Sequence, residues 1–330
     1  MNIIFSLLIT FLLITVLVQV VRISELLAEV NKKNVNDVTE DDNDLQGKIY
    51  FLVFILFIGF VIWQMFAWNH FILPDASSDH GEIIDGLMSF TMNLILVAFF
   101  VLTPILAYFL FKYRGRKGNS AFYYTHNNKL EIIWTVAPTI VLTGVIIYGL
   151  NVWNKVMNAD TENATVIELY GKQFNWMARY SGEDNTLGKA NFKLVEGKNK
   201  LGVDMQDEFS QDDFVIEGPV DTLHLVIGKP VLLRFRSQDV IHSAFLPHFR
   251  VQMNCVPGMW TQFAFTPNKT TAQMQEEEGD DFTYVVLCNK ICGATHFNMR
   301  MPVLVETQEE YNKWLAKQQL LKTTLTLKTN

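Results

Sequence analysis

The sequence predicts a four-helix transmembrane anchor followed by an all-β sandwich outside the membrane. Three observations carry that prediction. Four long apolar runs occupy the first half, short β-branched and aromatic runs follow Asn158, and residues 288–299 pack two thiols, an imidazole and a thioether into one tract. Of the 330 residues 49% are hydrophobic, too many for an ordinary soluble globule and too few for a chain wholly in lipid. A formal charge of -7 argues against a nucleic-acid partner, because phosphate binding needs a basic face. The cysteines Cys255, Cys288 and Cys292 are too few for a disulfide framework.

The four runs are Ile3–Val21, Ile49–Trp68, Leu87–Phe111 and Ile132–Trp153. Each is long enough to cross a bilayer, and none carries a charge, which would cost about 2.5–3.5 kcal/mol at a helix centre. Trp63, Trp68, Trp134 and Trp153 stand near run ends, where amphipathic rings favour the interface. The first run lacks the basic leader and short apolar stretch of a cleaved signal peptide, so it is expected to span. Loop charges orient the anchor. Arg22, Lys32, Lys33 and Lys48 lie between the first two runs, and Lys112, Arg114, Arg116, Lys117 and Lys129 between the last two. The second-to-third connection has only Asp75, Asp79, Glu82 and Asp85. Positive-inside logic then puts the basic loops in the cytoplasm, and the N-terminus and everything after Trp153 outside.

Beyond Asn158, the runs Ala164–Tyr170, Gln173–Tyr180, Thr222–Val226, Val231–Arg236, Phe263–Thr266, Phe282–Leu287 and Met301–Glu306 are separated by turn residues such as Gly171, Gly228 and Pro257. That pattern reads as a sandwich or small barrel. Glu196–Asp213 is polar and expected as a surface loop, Glu276–Asp281 as a solvated turn, and Gln308–Gln319 as a short amphipathic helix before a polar tail.

The chemistry sits in Cys288-Asn-Lys-Ile-Cys292-Gly-Ala-Thr-His296-Phe-Asn-Met299. These soft and borderline ligands suit copper. One Cys with His and Met would serve a single copper; two thiolates on one loop can each bridge two ions and spread one electron over both. Zinc loops more often use C-x2-C pairs. A disulfide at this spacing would leave His296 and Met299 unexplained. The cluster wants a second imidazole, and His242 in Asp239-Val-Ile-His-Ser, at a strand end, is the candidate. His224 and His248 read as surface or supporting residues, and Cys255 as a small buried hydrophobe.

The C-x3-C-x3-H-x2-M pattern, with D-V-I-H-S and a Pro-Gly turn before it, resembles the binuclear copper site of cytochrome c oxidase subunit II. Gly171-Lys-Gln-Phe-Asn-Trp176 resembles the family's aromatic segment, and Leu130-Glu-Ile-Ile-Trp-Thr-Val-Ala-Pro138 the opening of its second helix. The resemblance covers roughly residues 88–317. It implies a cupredoxin-like Greek-key sandwich on a helical hairpin, here doubled. It implies copper ligation by His242, Cys288, Cys292, His296, Met299 and the backbone carbonyl of Lys290. It further implies electrons entering from cytochrome c near Phe174 and Trp176, and Glu131 at the mouth of a proton path. Glu131 equally suits a helix N-terminus on dipole grounds alone. The partners implied are the catalytic haem-copper subunit I, other oxidase subunits and cytochrome c or a cytochrome c domain, in the cell (inner) membrane with the β domain on its periplasmic side.

This chain departs from the family at four points. Lys290 and Asn254 replace acidic residues, which puts an interfacial magnesium site in doubt. Phe174 replaces a tryptophan, and two helices are extra. The expected division is 1–86 for the extra pair, 87–157 for the hairpin, 158–306 for the copper domain and 307–330 for the C-terminal helix and tail. The alternative function is a stand-alone membrane-tethered copper carrier. A quinol oxidase subunit that has lost its copper is disfavoured by the intact ligand set. No C-x-x-C-H occurs, so the electron donor is expected to be a separate protein or subunit.

Overall fold

The structure is a computed structural model and describes residues 2–30 and 38–326. Lys32 and Lys33 of the first basic loop, and the last residues of the tail, lie outside the described residues. Four long helices, α1 (Asn2–Val30), α2 (Glu40–Ala67), α4 (Asp79–Lys112) and α5 (Asn128–Met157), are the expected spans, with α3 (Asn69–Ile72) a single turn after α2. At about 1.5 Å per residue each is well over the roughly 30 Å of a hydrocarbon core, so their ends reach into the interface or beyond. Thr39 opens α2 with a reciprocal capping box to Asp42, and Glu40, Asp41 and Asp42 face the positive end of the helix dipole.

The chain forms two compact units. One holds α1, α2 and the second half of α4. There Arg114 Nε donates to Asp44 Oδ1 at 2.7 Å. The arginine stem lies where a side chain at Gly47 would stand, and Phe51 meets Phe111 at 5.4 Å between ring centroids. The extra helix α2 is therefore docked on α4 by a charge pair and a glycine notch.

The other unit holds the first half of α4, α5 and a two-sheet sandwich. The strands are β1 (Thr165–Lys172), β2 (Asn175–Tyr180), β3 (Phe214–Glu217), β4 (Leu223–Val226), β5 (Val231–Ser237), β6 (His242–Leu246), β7 (Val251–Cys255), β8 (Thr261–Phe265), β9 (Tyr284–Cys288) and β10 (Arg300–Glu306). One sheet runs β3-β2-β1-β5-β8 and the other β4-β10-β9-β6-β7. The parallel pairs β1·β5 and β4·β10, amid otherwise antiparallel neighbours, are the crossovers of a cupredoxin-like sandwich. Ile167, Leu169, Trp176, Phe235, Leu246, Tyr284 and Val303 fill the space between the sheets, with Val152 and Val156 of α5 joining the same core. Three short helices, α6 (Thr271–Glu278), α7 (Gln308–Leu315) and α8 (Leu321–Thr326), complete the fold.

Several sequence expectations shift. All seven expected strands form, but β3, β6 and β7 are additional, each only four or five residues long. The acidic run Glu276–Asp281 begins inside α6, because Thr270 and Gln273 form a capping box that starts a helix there. The polar 196–213 segment is not merely solvated. Leu201 and Val203 are buried against Tyr170 and Met177, so the segment covers the outer face of the first sheet. Beneath it, Glu168, Arg179, Arg236 and Asp213 form an ion cluster. Arg179 Nε reaches Glu168 Oε2 at 2.8 Å and Nη1 reaches Asp213 Oδ2 at 3.2 Å, with Arg236 on the other carboxylate oxygen of Glu168. His224 and Glu306 pair at 2.6 Å under the stacked ring of Trp314, which pins α7 to the sandwich.

Candidate metal centre

The two sulfur atoms come together because β9 ends on Cys288 and the chain then makes a short loop back to β10. The Cys288 N–H donates to Met299 O at 3.1 Å and the Asn289 N–H to Ser243 O at 2.9 Å, closing the loop at both sides. A 3-10 turn at His296–Asn298 follows, its first N–H donating to Gly293 O at 3.2 Å. Backbone pairing thus turns a run of ligand types into a cluster.

Within the cluster the Cys288 and Cys292 sulfurs lie 3.8 Å apart. His242 Nδ1 is 3.7 Å from Cys288 Sγ, and His296 Nδ1 is 3.5 Å from Cys292 Sγ. Met299 Sδ lies 3.9 Å from Cys292 Sγ, and the Lys290 carbonyl oxygen 3.3 Å from Cys288 Sγ. His242, Cys292 and Met299 are buried, whereas Lys290 and Ile291 face solvent. Burial, then the neighbouring Cys288, pushes the Cys292 thiol up to about 11. A cation between the sulfurs would displace those protons.

His242 opens β6 rather than closing a strand. The residues before it, Val240 and Ile241, are exposed turn residues. Its register partner is Cys255, on β7, and Ala244 pairs with Cys288. This places the imidazole beside the thiols from a different part of the chain. Its Nε2 lies 2.9 Å from Asp239 Oδ1. With that nitrogen donating to the carboxylate, Nδ1 is left as a lone pair aimed at the sulfurs. Burial raises the Asp239 carboxyl, but the Gln173 N–H, the His242 ring and the Val240 N–H outweigh it and hold the group below its usual range.

Asp239 was visible in the motif, yet its role is through-space. So are those of Gly171, whose added Cβ would stand 2.9 Å from His242 Cδ2, and Gln173, whose Nε2 donates to Cys292 O at 2.5 Å. Gly171→Ala is expected to push the His242 ring off the thiols. Weaker metal retention with an unchanged far-ultraviolet circular dichroism spectrum checks this.

The aromatic pair separates. Trp176 is fully buried and meets the His242 ring edge-on at 6.0 Å. Phe174 is half-buried over the loop, within 2.8 Å of where a side chain on Gly293 would sit. Of the two, Phe174 alone reaches the surface. Glu131 is not part of the site. It lies in the first turn of α5, roughly 40 Å of helix from Met157 at 1.5 Å per residue. Cys255 is fully buried, its thiol pushed by burial to about 12, and serves as core packing.

Residues 62–152 match the family model of the cytochrome c oxidase subunit II transmembrane domain, and residues 165–308 that of its periplasmic domain. The alternative cytochrome c oxidase subunit 2 of Bradyrhizobium diazoefficiens is 33% identical over 270 residues, 81% of this chain and 90% of that protein. The chain belongs to the cytochrome c oxidase subunit II family. The cytochrome c oxidase subunit 2 of Synechocystis is 29% identical over 285 residues, 80% of this chain and 82% of that protein. The crystallised periplasmic domain of subunit II from Bradyrhizobium japonicum is 20% identical, covering 48% of this chain and 94% of that one with a TM-score of 0.33. The family is that of a membrane-anchored subunit of the haem-copper oxidases, and the four spans agree with that anchoring.

Proposed function

We propose that this chain is the electron-accepting subunit of a cytochrome c oxidase. It would take electrons one at a time from cytochrome c or a cytochrome c domain and pass them to haem in catalytic subunit I, where dioxygen becomes water and protons move. The observation that supports this best is the convergence of two thiolates, two imidazoles, a thioether and a carbonyl within 4 Å steps of one another. His242, Cys288, Cys292, His296, Met299 and the Lys290 carbonyl would hold a binuclear copper. When bound, that pair supplies a centre that gains or loses one electron with little change of geometry.

The remaining work belongs to the chain. The sandwich burial of His242 and Met299 keeps water from the ligands. Asp239 fixes the His242 ring, and Phe174 covers the solvent side of the loop. Asp239→Asn should weaken copper retention about 10- to 100-fold, the usual cost of removing the group that orients a ligating histidine; competition with a chelator measures it. The magnesium ion that the family resemblance would place beside this loop is disfavoured by the side chains present. Lys290 offers only a donor and Asn254 only a neutral oxygen, a weaker pair for a hard cation than two carboxylates.

The anchor would sit in the cell membrane with its basic Arg116, Lys117 and Lys129 loop in the cytoplasm and the copper domain outside. The competing reading is a free membrane-tethered copper carrier. Affinity purification of the tagged full chain from gentle detergent separates the two. A haem-containing complex that oxidises reduced cytochrome c, and loses that activity in Cys288→Ser, supports the oxidase. A copper-loaded chain that comes away free of haem contradicts it.

A further inference from the structure

The outer end of α4 is built into the sandwich. Ser77 and Ser78 are fully buried. The Ser77 N–H donates to His248 O at 2.7 Å, Ser78 Oγ to Phe249 O at 2.8 Å, and the Asp79 N–H to Thr266 O at 3.2 Å. The Asn268 N–H returns a bond to Ser77 O at 3.0 Å. One ion pair closes this joint. Arg250 Nε and Nη2 donate to the two oxygens of Asp85, each at 2.8 Å, while Nη2 also reaches Pro74 O at 2.5 Å and Nη1 reaches Pro247 O at 2.7 Å. The arginine side chain is 7% exposed, and its backbone is left-handed at φ 54°.

The Asp85 side chain is 28% exposed, and an ion pair only partly shielded from water adds little net stability. A bidentate fork adds direction, because both groups are planar and must face each other. What Arg250 aims is the β6–β7 hairpin. Leu246 ends β6, Arg250 precedes β7, and the other end of the hairpin is the His242–Cys255 pair. Four residue steps of about 3.3 Å put His242 about 13 Å from the clamp. The same strand flanks Cys288 through Ala244. One hairpin therefore carries the candidate ligand His242 at one end, beside the thiol of Cys288, and is locked to a membrane helix at the other.

We propose that Asp85 and Arg250 are a positioning pair that sets the distance and tilt of the metal-binding end relative to the outer end of α4, and so the rate at which electrons leave for an acceptor in the membrane. This rests on the electron-transfer reading above. Tunnelling rates fall steeply with distance, so loosening the joint slows the outward step. The ligands and the donor face, at the far end of the hairpin, are left as they were.

The test uses the assembled oxidase carrying Asp85→Asn or Arg250→Gln, with Asp85→Glu as the conservative variant. Copper content and electron paramagnetic resonance report the centre. A ruthenium photoreductant starts electron flow, so that copper reduction by the donor and copper-to-haem transfer are timed separately. The expected result is an unchanged centre and donor step, outward transfer slowed at least tenfold in Asp85→Asn, and partial recovery in Asp85→Glu. Unchanged outward transfer overturns the proposal, as does equal slowing of both steps or an altered copper spectrum, either of which marks a structural role. If Arg250→Gln does not assemble, the two Asp85 variants, which leave the backbone bonds of the joint in place, carry the measurement. A parent complex with no copper-to-haem transfer would instead refute the electron-transfer reading, and this proposal with it.

Discussion

Cys292→Ser should abolish the binuclear centre rather than weaken it. Cys292 is the hub of the cluster, with Cys288, His296 and Met299 all within 4 Å of its sulfur. Serine keeps the volume but offers a hard, weakly acidic oxygen in place of a soft thiolate. It cannot bridge two soft ions, so the shared-electron signal should vanish and cytochrome c oxidation should fall to background. Cys255→Ala is the control. That thiol sits across the strands from His242 but is not one of the clustered sulfurs, so both metal content and spectrum should survive. A Cys292→Ser protein with the parent spectrum would remove the loop from the metal site.

Arg179→Ala should destabilise the sandwich strongly. Its side chain is 4% exposed and is held by carboxylates that are 3% and 0% exposed. Removing the cation leaves Asp213 without a charge partner and Glu168 with Arg236 alone. Breaking such a buried pair costs about 3–5 kcal/mol, a drop of about 6–20 °C in the midpoint of a domain this size. Thermal unfolding followed by tryptophan fluorescence reads it, and a shift of a degree or two would mean water reaches the cluster.

The same cluster should tilt stability with pH. Burial raises Asp213 to about 7 despite Arg179 and the Gly188 N–H. A carboxyl raised in the fold binds its proton more tightly there than in the unfolded chain, so its contribution is present at low pH and is lost as pH rises from about 4 through about 7. Asp213→Asn should flatten that slope in unfolding midpoints taken across this range.

Much of this was legible in the sequence because the signals were local. A span shows itself as an uninterrupted apolar run, and five of the six metal-facing groups sit in one tract between β9 and β10. The strands that escaped notice, β3, β6 and β7, are short and broken by polar residues. β3 and β6 pair with neighbours far along the chain, Tyr180 for Phe214 and Cys288 for Ala244, and β7 is held by its hairpin with β6, His242 opposite Cys255. The same holds for function. His242 could be suspected from its motif. That Asp239 orients it, that Gly171 makes room for it and that Arg250 reaches back to Asp85 all depend on contacts made only in the folded chain. The helix α4 illustrates the point. Its apolar run marks where lipid lies, but its first two turns, Asp79–Gly86, carry Asp79, His80, Glu82 and Asp85 and belong to the joint with the sandwich.

The most direct measurement is copper stoichiometry with electron paramagnetic resonance on the purified chain. Two coppers per chain sharing one unpaired electron is the expected result, and it would place both thiolates between two metals. One copper with a mononuclear spectrum, zinc in its place, or no metal at all would contradict the electron-accepting role proposed for this subunit.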